Sequence, residues 1–217
     1  DPSILADAVE HCDGRVDALV CSAGVPPAGP WNSRPHWDEV LAVDLTAPYE
    51  ALRTCWPALV AGRGSIVLVG SIVGAVEGSL RSPAYAAAKA AGELLAGAFS
   101  VTYGLDVVIT RGSNTYGPFP HPEKLIPLFV TNALDDLPLP LYGDGLQRRD
   151  WLHVADHAGA IAHVLEHGAA GLTYNVPGSA EVTNRDVVGR LLALLGKPWS
   201  LVRSVADRPG HDRRYAM

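Results

Sequence analysis

Tyr85 and Lys89 stand four residues apart in the run Ser82-Pro83-Ala84-Tyr85-Ala86-Ala87-Ala88-Lys89. On a helix that spacing puts both side chains on one face. Ser71 closes an apolar run 14 residues before the tyrosine, where its hydroxyl can reach the same point. A phenol with a pKa near 10 is a poor base at neutral pH. An ammonium within ~4–6 Å favours the phenolate and lowers that value by about 1–3 units. A serine hydroxyl beside such a pair can polarise a carbonyl or hold an alcohol while the phenol moves the proton. The chemistry expected of these three residues is therefore proton transfer at a carbonyl or alcohol oxygen. The same spacing also arises on ordinary amphipathic helices, with the aromatic ring inside and a solvated lysine outside.

A second group of residues could hold an anion. The guanidinium forks of Arg149 and Arg208 can grip a diphosphate bidentately, even in a protein of formal net charge −6. Tyr142, in the Pro/Gly-punctuated stretch Leu134–Gly145, offers a platform for a pyrimidine ring. His153/His157 and His163/His167 have the i, i+4 spacing that can bind metal. The two pairs fall on different helix faces, and no carboxylate or cysteine is forced beside them, so a solvated face is the better reading and no metal is expected. Asp135-Asp136 and Arg213-Arg214 read as surface charge.

The elements that must position these groups follow an alternating pattern. Val16–Cys21, Ser65–Val69 and Asp106–Thr110 read as buried parallel strands. Between them, helices are expected from Trp37 to Leu59 and from Pro83 to Tyr103, the latter capped by Ser82 and ended by Gly104. Strand–helix–strand–helix–strand predicts an α/β fold with a Rossmann-like parallel sheet. From Gly112 the texture becomes richer in Gly, Pro, Asn and aromatics. Helices are expected at Lys124–Ala133, Val154–His167 and Asn184–Leu195, with one more strand at Leu172–Val176. The division expected is a partial dinucleotide-binding domain over 1–112 and a small substrate lobe over 113–217, with the strand near 172–176 returning to the sheet. That lobe is expected to close over the C-terminal edges of the strands, where open α/β sheets bind ligands.

Composition narrows the class. The 217 residues, 48% hydrophobic and 18% charged, suit a globular chain of one to one and a half domains. The acidic balance argues against a nucleic-acid partner, whose binding runs on clustered Lys and Arg. Uncharged stretches such as Val20–Asn32 are broken by Gly and Pro, so neither a membrane span nor a signal peptide is read. Cys12, Cys21 and Cys55 form no CxxC pair; free thiols in a reducing, cytoplasmic setting are expected. Cys21 is expected to pack in the core.

The surroundings of Ser71, Tyr85 and Lys89 resemble the short-chain dehydrogenase/reductase superfamily. Cys21-Ser22-Ala23-Gly24 is similar to its Asn-Asn-Ala-Gly strand end, and Val43-Asp44-Leu45 to the segment where single-domain members carry a helix Asn in the proton relay. This chain has Asp44 there. The resemblance implies Tyr85 as acid/base, Lys89 on the tyrosine and the nicotinamide ribose, Ser71 orienting the reacting oxygen, and hydride exchange with NAD. Ala23 and Gly24 would then border the cofactor.

From Tyr85 onward the sequence resembles dTDP-glucose 4,6-dehydratases, members of the extended branch of that superfamily. The similarity is carried by Ser113-Asn114-Thr115-Tyr116-Gly117-Pro118, Glu123-Lys124-Leu125-Ile126-Pro127, Pro140-Leu141-Tyr142-Gly143-Asp144-Gly145 and Arg149-Asp150-Trp151-Leu152. It continues through Tyr174-Asn175-Val176, Asn184 and Asp207-Arg208-Pro209-Gly210-His211 to Tyr215. The resemblance implies a nucleoside-diphosphate sugar as partner, with Asn114, Lys124 and Leu125 along the sugar and diphosphate. Pro140, Leu141 and Tyr142 would border the base. Arg149, Asn184 and the run Asp207, Arg208, Pro209, Gly210, His211 would grip phosphates and nucleoside. Thr115 stands where the family has a second Asn near the nicotinamide.

Two features depart from that pattern. No GxGxxG follows a strand and opens a helix, and residue 1 falls where the family would already have three strands. The resemblance thus implies NAD while this stretch lacks the loop that holds its pyrophosphate, and tight NAD binding by it alone is not expected. Sugar dehydratases also carry Thr-Asp-Glu after the catalytic strand, where the run here is Ser71-Ile72-Val73. Ile72 and Val73 cannot transfer protons, and each lost acid or base is worth ~10²–10⁴ in rate. The reading is an NAD-dependent nucleotide-sugar enzyme that oxidises sugar C4 through Tyr85, Lys89 and Ser71, with water elimination impaired. A short-chain carbonyl reductase, or a nucleotide-sugar-binding module without turnover, are the alternatives; fragment, chimera and complete chain all stay open. Helices around Leu41–Leu59 and Tyr85–Phe99, which are small and apolar all round, suggest a homodimer.

Overall fold

The structure, a computed structural model, describes residues 2–25, 32–71, 82–207 and 211–217. It divides into two compact units. The first comprises Asp1–Gly112 with Ala158–Val176, and the second Ser113–His157 with Pro177–Met217.

The first unit is built on four parallel strands in the order β1 (Ala18–Cys21), β2 (Ser65–Ser71), β3 (Val107–Gly112) and β7 (Thr173–Val176). Parallel sheets need both faces covered, so their strands are apolar on both sides. The alternation along β2 shows how this is met. Ile66 and Leu68 pack with Leu52, Cys55 and Leu59 of helix α3 (Ala47–Gly62) and Ala96 of helix α4 (Pro83–Tyr103). Val67, between them, packs with Val108 and with Val164 of helix α6 (Val154–His167) on the opposite face. Helix α1 (Pro2–His11), which sequence patterning did not anticipate, adds Leu5 and Val9 to the first cluster.

The single helix expected from Trp37 to Leu59 is three segments. Helix α2 (Arg34–Leu41) runs into a π-helical turn, Ala42–Thr46, and then into α3. The Ala47 amide reaches back five residues to the Ala42 carbonyl. Such one-turn widenings re-aim side chains and recur at functional sites; here the re-aimed residue is Asp44, which is buried. At the far end of α3, the Gly62-Arg63-Gly64 turn lies against β1. A Cβ on Gly64 would come within 2.2 Å of the Val16 carbonyl oxygen, so this position must be glycine for steric reasons.

The second unit has a smaller core. Phe129 and Ala133 of helix α5 (Leu125–Leu134) pack with Leu139 and Leu141 of β5 (Leu139–Tyr142) and Val188 and Leu192 of helix α7 (Asn184–Leu195). The stretch Leu134–Gly145, read from its Pro and Gly as irregular, contains β5, which pairs in parallel with β9 (Val202–Val205). In a two-stranded ladder every strand is an edge, where Pro140 is tolerated. A second ladder centres on β6 (Arg148–His153). Strands β4 (Asn114–Tyr116) and β10 (Arg214–Tyr215) join it in parallel and β8 (Glu181–Thr183) joins it antiparallel. Glu181 ties the ladder together: Arg148 and Arg214 both donate to its carboxylate, at 2.8 and 2.9 Å. The two cations hold Glu181 down at about 2.

Helix α4, which carries Tyr85 and Lys89, begins and ends as its sequence signals dictate. The buried Ser82 hydroxyl accepts from the Tyr85 amide at 3.2 Å, Pro83 occupies the first turn, and Gly104 closes the helix in the left-handed conformation. Ser82→Ala should cost about 0.5–2 kcal/mol of stability, the usual effect of losing a cap. Urea unfolding monitored by far-UV circular dichroism would measure it, with an unchanged midpoint counting against the cap's importance.

Candidate functional site

Tyr85, Lys89 and Ser71 are brought together in the first unit. Ser71 ends β2, and its hydroxyl shares a hydrogen bond with the Tyr85 phenol. Lys89 Nζ lies 5.6 Å from the Tyr85 ring centroid. Tyr85 packs against the apolar cluster of Val40, Ala84 and Ala88, which Val25, Trp37, Leu41 and Leu45 also join, so the phenol has a dry flank and one polar edge. Ala23, Asp44 and Lys89 line a small cavity with Cys21 and Gly70.

Asp44 changes the electrostatics of this group. Its side chain has no solvent exposure, and its Oδ1 sits 3.0 Å from Lys89 Nζ. Its Oδ2 accepts the Val25 amide at 3.1 Å. Gly24 leaves room for this arrangement, since a Cβ there would stand 2.8 Å from Asp44 Oδ1 and 3.4 Å from Lys89 Nζ. The expected lowering of the Tyr85 pKa by Lys89 is not what the structure gives. Burial pushes the phenol above its ordinary 10.0, the Ser71 hydrogen bond works in the opposite direction, and the Asp44 carboxylate adds to the rise. Burial is the largest of these effects, and the Lys89 ammonium is itself in direct contact with another anion, Asp44. Cys21, half-buried against the core, is pushed up to about 11, chiefly by burial.

In the second unit, Leu125, Pro140, Leu141, Tyr142, Asn184 and His211 line one cavity of about 140 Å³. Glu123, Leu128 and Phe129 complete the lining. The floor is apolar, and Asn184 and His211 are polar groups turned from the bulk. Asn184 is only 6% exposed, and the His211 ring stands edge-on to Tyr142 at 6.0 Å. His211 Nδ1 contacts Asp207 Oδ1 at 2.6 Å, and buried Gln147 donates to Asp207 Oδ2 at 2.8 Å. Lys124 caps α5 as an exposed residue beside this lining. Gln147, Glu123 and Phe129 were not anticipated. Glu123 opens the motif run Glu123-Lys124-Leu125-Ile126-Pro127, which was the available signal; Gln147 and Phe129 enter only through space.

Asn114, Thr115 and Arg149 lie on the β4–β6 ladder rather than on that cavity. Asn114 pairs with Trp151 and Thr115 with Leu152. Thr115 Oγ1 lies 3.0 Å from His157 Nδ1, and burial lowers the His157 pKa. Arg149 is 9% exposed, with Nη1 donating to the Arg148 carbonyl at 2.7 Å. Ile72, Val73, Arg208, Pro209 and Gly210 lie outside the described residues. Arg213 and Arg214, read as surface charge, are each paired, with Asp144 and Glu181 respectively. Among the described residues no group of three or more His, Cys, Asp or Glu side chains could hold a metal ion, and no helix is long and apolar enough to cross a membrane.

Comparison with known proteins extends this geometry. The short chain dehydrogenase family matches residues 2–110, half of the chain. The chain belongs to that family. The NAD dependent epimerase/dehydratase family matches residues 72–177, so the two patterns overlap across α4. The dTDP-glucose 4,6-dehydratase of Streptomyces niveus is 55% identical over 133 residues, which are 61% of this chain and 40% of that protein. Its counterpart in Neisseria meningitidis is 49% identical over 147 residues, 63% of this chain and 41% of that protein. The chain thus spans about two fifths of the length of these curated relatives. The crystal structure of DesIV, a dTDP-glucose 4,6-dehydratase from Streptomyces venezuelae with NAD and TYD bound, is 43% identical. That likeness covers 100% of this chain and 68% of DesIV, with a TM-score of 0.79. Within this short chain dehydrogenase, the shared fold is the parallel α/β sheet of the first unit together with the smaller second unit.

One exposed ion pair joins the loop after β5 to the C-terminal segment. Arg213 donates to both Asp144 carboxylate oxygens at 2.8 and 2.9 Å, and the Leu146 amide adds a third bond at 2.9 Å. The Arg213 hydrogen bond, with that amide, holds Asp144 down at about 2. A depressed carboxyl contributes above its unfolded pKa near 3.8 and loses that contribution as pH falls through about 2. Carbon-13 NMR should find Asp144 titrating near that low value in the native protein and moving up in Arg213→Ala. An Asp144 that titrates normally in both would contradict the pairing.

Proposed function

We propose that this chain supplies the proton-transfer group and the nucleotide-holding cavity of an NAD-dependent nucleotide-sugar enzyme of the dTDP-glucose 4,6-dehydratase kind. The observation that carries the reading is that six residues scattered between positions 125 and 211, each matched to that family's motifs, line a single cavity. No metal or nucleic acid enters the reading.

The residues divide the work by their chemistry. Tyr142 offers its ring to the base and Asn184 its amide, above the apolar floor of Leu125, Pro140 and Leu141. His211, held by Asp207, faces the nucleoside, with Arg208, Pro209 and Gly210 in the same run. Lys124, Asn114 and Arg149 serve the diphosphate and sugar. In the first unit Ser71 orients the sugar C4 hydroxyl, and Tyr85 removes its proton. NAD, when bound, supplies the acceptor for the C4 hydride. The donor set fits the nicotinamide-ribose end of that cofactor: Lys89 lines the same small cavity as Ala23 and its Nζ would stand 3.4 Å from a Cβ on Gly24, with Thr115 assigned to the nicotinamide. Neither Ile72 nor Val73 can give or take a proton, so the C4 ketone should form far faster than water leaves from C5 and C6.

The first unit also presents an apolar face, lined by Leu45, Tyr49, Leu94 and Leu95, on which Leu94 is 77% exposed. A second copy of the chain covers it in this reading. Light scattering should report a dimer that Leu94→Glu converts to monomer; a monomeric parent protein would remove this assignment.

Calorimetric titration with dTDP tests the cavity. Tyr142→Ala should weaken binding about 5- to 150-fold, the equivalent of the ~1–3 kcal/mol that a base stacked on an aromatic ring contributes. With dTDP-glucose and NAD present, the protein should reduce NAD and yield a ketosugar that keeps its C6 oxygen, and Tyr85→Phe should abolish this. Tight dTDP binding indifferent to Tyr142, or turnover surviving Tyr85→Phe, would refute the respective half of the reading.

A further inference from the structure

Asp44 is a carboxylate without solvent exposure, and from a different element it faces the Lys89 ammonium beside Tyr85. It reaches that position through the π-helical turn, it spends Oδ2 on the Val25 amide, and it presents Oδ1 to Lys89 at 3.0 Å. Gly24 is the residue whose missing Cβ keeps the contact open. These are several independent accommodations to one anion.

We propose that Asp44 is a positioning residue: by capturing the Lys89 ammonium it withdraws that charge from Tyr85 and so sets the pH range over which Tyr85 exchanges its proton. The inference rests on the reading of Tyr85 as the base. The physics is that of a charge replaced by a dipole. A lone ammonium beside the ring favours phenolate; an ammonium with a carboxylate in contact sums to no net charge, and its effect at the phenol oxygen largely cancels. Burial makes the cancellation matter, because water is not there to screen either charge.

Among the described residues, the other groups around the phenol leave Asp44 as the anion that acts on it. Strand β2 offers the Ser71 hydroxyl, and α4 offers Lys89 itself. Helix α2 packs Trp37, Val40 and Leu41 against this region and carries His36, Asp38 and Glu39; both carboxylates are exposed, and Asp38 is paired with Arg34 at 2.8 Å. Strand β1 offers Cys21, a thiol that burial keeps protonated. Further along α4, Glu93 is paired with Arg111 at 2.6 Å. The balance at Tyr85 shifts with Asp44 as well as with burial, both upward.

The sign follows. With Asp44 present, the phenol keeps its proton to higher pH, so base-dependent oxidation at the sugar carbon rises late on the alkaline side. Asp44→Asn keeps the shape and an acceptor for Val25 but frees the ammonium, so the rise should move to lower pH. The test is NMR of tyrosine labelled with carbon-13 at ring Cζ, titrated in the parent protein and in Asp44→Asn, with Tyr85→Phe assigning the signal. The Tyr85 midpoint should fall by about 1–3 pH units in Asp44→Asn, with far-UV circular dichroism confirming the fold. Should the amide disturb folding, Asp44→Ser removes the charge at smaller volume and carries the same expectation. A midpoint that stays or rises in a folded variant overturns the proposal. The titration needs neither sugar nor cofactor, so it is separate from the turnover of Tyr85→Phe, whose persistence would instead overturn Tyr85 as base.

Discussion

A charge removed from water must meet an opposite charge or be lost. Breaking a buried pair by deleting one partner costs about 3–5 kcal/mol, because the other is left stranded. In the first unit this constraint falls on Asp44 and Lys89, and much of the local architecture can be read as meeting it. The path from α2 to α3 must widen at Ala42–Thr46 to turn the carboxylate inward. Helix α4 must start at Ser82 so that Lys89 arrives opposite it, and the strand end after β1 must pass without a side chain at Gly24. Tyr85, one turn before Lys89, takes its surroundings from these requirements.

The second unit solves a different problem with different means. Its shape comes from an apolar core of Phe129, Leu139, Leu141, Val188 and Leu192, while exposed ion pairs act as ties. Exposed ion pairs contribute little to stability, yet they fix geometry when bidentate. Glu181 binds three short strands through two arginines, and Asp144 binds the C-terminal segment to the loop after β5. The β6 ladder is therefore assembled from stretches far apart in sequence that are individually too short to hold their own conformation.

How much of this was legible depended on whether the signal was local. Helix α4 could be read to its end residues, because Ser82, Pro83 and Gly104 each carry their own instruction. Helices α6 and α7 likewise followed from periodicity. Strand β6, Arg-Arg-Asp-Trp-Leu-His, was hidden by its charges, whose reason for being in a ladder lies in Glu181 and Arg214. Strand β5 was hidden by Pro140. In the site, the motif residues around Tyr142 and Asn184 could be named in advance, whereas Leu128 and Phe129 became lining only through packing. Asp44 was visible as a departure from a family pattern, but its partner, 45 residues on in sequence, was not. The Tyr85–Lys89 spacing could not show that burial and Asp44 both push the phenol upward: proximity of a cation is informative only when its other neighbours are known.

The first unit is discontinuous: the chain leaves it after Gly112 and comes back over Ala158–Val176 to lay β7 against β3. Exchange of the second unit between related genes therefore cannot be accomplished by one join. A single crossover after Gly112 would bring in the donor's version of β7 as well. That foreign strand would have to match Ile109, Thr110, Arg111 and Gly112 across the ladder. Evolutionary exchange of the second unit on this scaffold is thus restricted to donors whose returning strand already suits the recipient's sheet edge, or to events that splice at three places at once.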